Sequence, residues 1–92
     1  MPPEMTPQFD SERLKELRSA RGLSVEILAR HAEVTVRHIW RLESGGRPNV
    51  WAVTLGRIAL ALDTSVDYLL GLTDDPRPFR TRRSPNTSED AR

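Results

Sequence analysis

Apolar residues recur along this chain at helical spacing, in short runs punctuated by Gly, Ser, Thr and Pro. Leu14 and Leu17 stand three apart among Glu12, Arg13, Lys15 and Glu16, which predicts a first helix capped by Asp10 or Ser11. Gly22 ends it, because glycine accepts the left-handed backbone of a helix exit. Leu23 packs back, and Ser24 caps a second helix with Ile27, Leu28 and Ala32 as its inner stripe. The link Ala32-Glu33-Val34-Thr35 has room only for a tight turn between two steeply inclined helices. Thr35 caps a third helix with Ile39 and Leu42 inward, and Gly45-Gly46 closes it ahead of the loop Arg47-Pro48-Asn49. A fourth helix starts between Asn49 and Ala52 and runs to Leu62, burying Leu55, Ile58, Ala59 and Leu62. Gly56 within it costs about 1 kcal/mol relative to alanine, and signals either close helix approach or simple tolerance. Ser65 caps a last short helix, Val66 to Leu70, with Asp67 in its first turn and Gly71 at its end.

Outside this pattern, residues 1–10 hold three prolines and little periodicity, and read as a flexible tail. Beyond residue 72, Asp75-Pro76-Arg77-Pro78 breaks the periodicity, and residues 73–92 read as a second, disordered tail. The expected domain is therefore 11–72. A length of 92 residues suits one small domain, and 37% hydrophobic with 29% charged residues suits a soluble one. The absence of cysteine excludes disulfides and cysteine-based zinc sites. No apolar run approaches the roughly 20 residues of a membrane span, and residues 1–10 lack a signal-peptide pattern. A cytoplasmic protein without a membrane partner is expected.

Net charge is only +1, but its distribution is uneven. Between residues 35 and 57, Arg37, Arg41, Arg47 and Arg57 face a lone acid, Glu43. A positive excess in one segment is what a phosphate-facing surface needs. A helix enters the DNA major groove only when its outer face is polar, long-armed and held proud of the protein. With Ile39 and Leu42 inward, Val36, Arg37, Trp40 and Arg41 are expected on the opposite side of the third helix. Arginine can bond guanine O6 and N7 through two parallel donors, worth about 1–3 kcal/mol of discrimination, and Val36 can meet a thymine methyl. Trp40 either touches sugar or a base edge at the groove wall, or lies along the protein surface; Trp51 is read as a packing or dimer contact. Phosphate contacts are expected from the helix starts near Ser24, Val25 and Thr35, and from Arg47 and Asn49. His38 joins them as a candidate, with a merely exposed imidazole as the alternative; Arg30 and Arg57 read as charged-face residues.

The strings RLKELRSARGLS, VTVRHIWRLESG and ALDTSVDYLLGLTD together resemble the Cro/repressor-type (xenobiotic-response-element type) helix-turn-helix family over about two thirds of the chain. The resemblance implies an all-α, compact five-helix lambda-repressor-like domain with the helix-turn-helix at helices 2 and 3. It implies base reading from Val36, Arg37 and Arg41, and a pair between Arg18 and Glu43 that locks helix 1 to helix 3. Such a pair orients more than it stabilises. Three positions depart from the family pattern. Val25 replaces a frequent glutamine and removes a side-chain phosphate contact, while Glu33 and Asp63 replace common glycines. A left-handed Glu33 costs something like 1 kcal/mol.

The expected function is that of a sequence-specific regulator of transcription acting as a repressor. Its partners are then double-stranded DNA and a second copy of itself, since paired recognition helices about 34 Å apart read a palindromic operator. An antitoxin or restriction–modification controller keeps the same mechanism. A rival reading is a protein-interaction module on this fold that has lost DNA binding: Val25 and the near-neutral charge favour it, whereas Arg37, Arg41 and Arg47 oppose it. An enzyme is not expected, because His31 and His38 lack neighbouring carboxylates at catalytic or metal-ligand spacing. No cofactor, metal or small-molecule substrate is implied. Arg80, Arg82 and Arg83 form either a basic arm for the minor groove or phosphates, or a solvated end.

Overall fold

Five helices follow one another: α1 (Ser11–Ala20), α2 (Val25–Ala32), α3 (Val36–Glu43), α4 (Ala52–Ala61) and α5 (Val66–Leu69). They belong to a computed structural model that describes residues 6–46 and 48–78. Each start has a local cause. Asp10, Ser24, Thr35 and Ser65 cap α1, α2, α3 and α5 by accepting from the amide three residues on; α4 begins after Trp51 without a side-chain cap. The residue before each cap and the one five further along are both apolar or buried: Phe9/Leu14, Leu23/Leu28, Val34/Ile39, Val50/Leu55 and Thr64/Leu69. These are the positions of a hydrophobic staple, which fixes the angle at which the chain enters a helix.

The exits of α1, α2, α4 and α5 share a second device. After α2, the Val34 amide bonds the Ala29 carbonyl at 3.0 Å and the Glu33 amide bonds that of Arg30 at 3.2 Å, a Schellman motif. The same pair of bonds recurs at Gly22–Leu23, Asp63–Thr64 and Gly71–Leu72. The motif needs a left-handed residue. Glycine supplies it at 22 and 71, but Glu33 (φ 59°) and Asp63 (φ 54°) adopt it with side chains attached. Arg21 reinforces the exit of α4, its Nε donating to the Leu62 carbonyl at 2.7 Å.

α2 packs on α3 and α4, α1 on α3 and α5, and α4 on α5. Leu14, Leu28, Ile39, Leu42, Ile58, Leu62 and Leu69 are fully buried at the centre. Two details differ from expectation. On α2 the buried stripe is Leu28, Ala29 and Ala32, while Ile27 is half-exposed, because a helix packed on two neighbours buries the sector between them. Phe9, assigned from the sequence to a loose tail, lies in the core, and the Gln8 and Asp10 amides bond the Leu70 and Leu69 carbonyls.

The segment after α5 is also tied down as far as it is described. Arg13 donates to the carbonyls of Tyr68 and Thr73 and to Asp74, and its guanidinium lies 4.3 Å from the Tyr68 ring centroid. Thr64 Oγ1 donates to the Pro76 carbonyl at 2.6 Å. Arg77 bonds Asp75 at 2.8 Å, and this hydrogen bond holds the exposed Asp75 carboxyl down to about 2. Residues 79–92, including Arg80, Arg82 and Arg83, lie outside the described part.

Candidate nucleic-acid interface

α3 is anchored on one side and open on the other. Ile39 and Leu42 are buried on its inner side. Its C-terminal end is tied to α1: Arg18 Nε donates to Glu43 Oε2 at 2.5 Å and Arg18 Nη2 to Oε1 at 3.2 Å. This two-pronged pair sits at 16% and 10% side-chain exposure, and Arg18 Nη1 also bonds the Leu23 carbonyl. The hydrogen bond to Glu43 raises the Arg18 pKa against the lowering effect of burial, so the guanidinium stays charged. A planar guanidinium engaged by both carboxylate oxygens and a carbonyl fixes α3 in orientation as well as position.

On the open side, Arg37 and Arg41 are exposed one turn apart, with Trp40 beside them at 58% exposure. Among the described residues neither arginine has an ion-pair partner. Their charge therefore faces solvent. Trp40 is more than half exposed, so much of its ring is open to solvent and to a partner on this side. Val36 departs from expectation. It lies three residues before Ile39, on the same helix row, and packs half-buried against the core rather than on the outer face. At most its edge borders the open surface.

The surrounding positions are placed as follows. Ser24 Oγ accepts from the Ile27 amide and Thr35 Oγ1 from the His38 amide, both at 3.1 Å, so these oxygens serve the caps and only their hydroxyl protons remain for an outside acceptor. Val25 packs half-buried against the core, which leaves its amide, not its side chain, for any contact. His38 is half-exposed and Asn49 exposed; Arg47 lies outside the described residues. The uncapped start of α4 adds first-turn amides beside Asn49, a feature not singled out in the sequence. Its signal was the apolar run Val50-Trp51-Ala52-Val53, which offers no capping oxygen.

Arg13 and Phe9 were also missed, although they support the site only through the scaffold. Arg57, read as a charged-face residue, reaches Glu33 at 3.4 Å across the α2–α4 contact. No group of acids and histidines able to hold a metal ion occurs among the described residues, nor is any of their helices long and apolar enough to cross a membrane.

Comparison with known proteins bears on this arrangement directly. The chain is 39% identical over 75 residues to an uncharacterized HTH-type transcriptional regulator, YobD, of Bacillus subtilis (strain 168), covering 79% of this chain and 64% of that protein. It thus spans just under two thirds of the relative's length. Among solved structures it is similar to SinR, the master regulator for biofilm formation, crystallised in complex with DNA. There the TM-score is 0.61 at 30% identity, over 65% of this chain and 95% of that one. A SinR/SinI protein complex matches with the same TM-score and identity, over 58% of that chain. A family model described as a helix-turn-helix domain matches residues 11–70, from the first residue of α1 to the cap of α5. With the α2–turn–α3 geometry, that match establishes that the chain belongs to the helix-turn-helix domain family.

Proposed function

We propose that this chain is a sequence-specific double-stranded DNA-binding regulator of transcription, acting as a repressor, with α3 in the major groove. The observation that carries the reading is the outer face of α3. Arg37, Trp40 and Arg41 stand exposed, with no acidic partner among the described residues, on a helix whose other side is locked by the core and by Arg18–Glu43. Two unopposed guanidiniums one turn apart suit guanine edges, and a rigid platform limits the ordering cost of binding. Trp40 contributes contact area at the groove wall, and Val36 reaches a base only through its exposed edge.

Phosphates on either side are held by the amides at the starts of α2 and α4, by the hydroxyl protons of Ser24 and Thr35, and by His38, Arg47 and Asn49. The protein acts as a cytoplasmic homodimer without enzymatic activity. Exposed Trp51 and Val53 at the start of α4 are apolar surface suited to two-fold pairing. The similarity to a regulator solved on DNA supports the main reading; the companion complex with a protein partner supports the rival one, an interaction module without DNA. Selection of bound duplexes from a random pool, followed by a salt titration on the winner, separates them. DNA binding requires a recovered motif and an affinity that falls with salt at about 0.9 logarithmic units per phosphate contact. If no duplex is held better than nonspecifically at low salt, the regulator reading fails.

A further inference from the structure

A groove of about 430 Å³ opens between α4 and α5, on residues that the proposed DNA contact does not use. Gly56, Leu60 and Val66 supply apolar lining, Asp63 and Asp67 line it as well, and Pro78 reaches it from the segment after α5. Leu60 is 83% exposed, although it sits in α4, most of whose residues are apolar. A lining that joins apolar side chains to the carboxylate of Asp67 selects for an occupant that combines an apolar side chain with positive charge.

The path of the chain suggests which one. Thr64, itself on the groove wall, holds the Pro76 carbonyl, the Arg77–Asp75 pair braces the next step, and Pro78 arrives at the groove. The five residues that follow are Phe79-Arg80-Thr81-Arg82-Arg83: one aromatic ring, then three arginines. We infer that this segment docks on its own domain, with the Phe79 ring on Leu60 and Val66 and the arginines on the side of Asp67. An aromatic side chain can bury about 150–250 Å² and favours such an apolar lining. Intramolecular docking starts at high effective concentration, since the segment is tethered at the groove's own lip. A second copy fits less well. A two-fold contact centred on the groove places Asp67 near its own image, and like charges brought together oppose association.

The docked segment engages Arg80, Arg82 and Arg83 on the domain's own surface and covers Leu60. This inference does not depend on the DNA-binding reading and survives its failure. The test is methyl-resolved NMR on the full chain, its Phe79→Ala variant and a variant with Arg80, Arg82 and Arg83 all changed to glutamine. Expected are ring-current shifts and nuclear Overhauser contacts linking Phe79 to the Leu60 and Val66 methyls. They should disappear in Phe79→Ala and weaken in the glutamine variant. In a sample mixing labelled and unlabelled chains, the contacts should remain within one molecule. Leu60 and Val66 methyls that are identical in wild type and Phe79→Ala overturn the inference. So do contacts that run between molecules, which assign the groove to a second copy.

Discussion

Glu43 ties the end of α3 to α1 and so helps decide where the outer face of α3 points. Its carboxylate is nearly buried and takes two bonds from Arg18, whose guanidinium is almost as enclosed. Glu43→Ala leaves that guanidinium with only the Leu23 carbonyl, and an unsatisfied buried polar group costs about 1–3 kcal/mol. Urea unfolding should show a loss of that size, whereas an unchanged midpoint would mean that water replaces the carboxylate without penalty. Gly56 is the opposite case. The sequence left open whether a helix packs closely there, and among the described residues no atom of another element lies within 4 Å of an added Cβ. Gly56→Ala should therefore stabilise the protein by about 0.5–1 kcal/mol, through the lower entropy of the unfolded chain. The same denaturation experiment checks it, with any destabilisation counting against an open site. Glu33 was legible as a strained position only by comparison with a family pattern; its φ of 59° bears out the left-handed turn.

At the level of elements, the positions of all five helices could be read from periodicity and caps, because capping oxygens and leucine spacing are local properties of the sequence. What could not be read depends on neighbours. Phe9 looked like tail because it precedes the first cap in a proline-containing stretch, yet it occupies the staple position opposite Leu14. Looking one residue ahead of each cap would have found it. Arg13 looked like an ordinary solvated residue of α1, and its role appears only when α5 and the following segment close over it. Val36, expected on the outer side of α3, is instead partly buried against the core, because a short helix has no sharp boundary between its two sides. The i, i+3 relation to Ile39 places it at the core boundary. The outer face of α3 consequently narrows to Arg37, Trp40 and Arg41. On the proposed function, Arg37→Ala and Arg41→Ala should each relax base preference at one or two operator positions, with about 1–3 kcal/mol lost on the preferred sequence. Selection repeated with each variant measures this. Equal weakening on every sequence would demote that arginine to a phosphate contact.

For the molecule as a whole, the proposed function raises the question of how so small a reading head would reach useful specificity. One α3 of eight residues spans only a few base pairs, and each well-read pair contributes about 1–3 kcal/mol. The net charge of +1 adds little general attraction to the polyanion, so nonspecific binding cannot make up the difference. Two-fold association is the economical solution, since it doubles the contacts while binding as one unit. If it operates here, the two α3 helices must meet successive major grooves on the same side of the duplex, about 34 Å apart. Half-sites recovered by selection should then be inverted repeats with a fixed centre-to-centre spacing of about 10–10.5 base pairs. Inserting five base pairs between them turns the second half-site to the far side of the helix, and affinity should drop to that of a single half-site. Inserting a full turn restores the facing but lengthens the span, so a rigid pair should recover little, whereas independently binding monomers would ignore both insertions. Trp51→Ser, at a residue 73% exposed, should mimic the five-base-pair insertion if the start of α4 forms the contact between copies. Sedimentation of the same variant without DNA distinguishes lost pairing from lost folding. Unchanged binding and unchanged mass would place the contact elsewhere on the molecule.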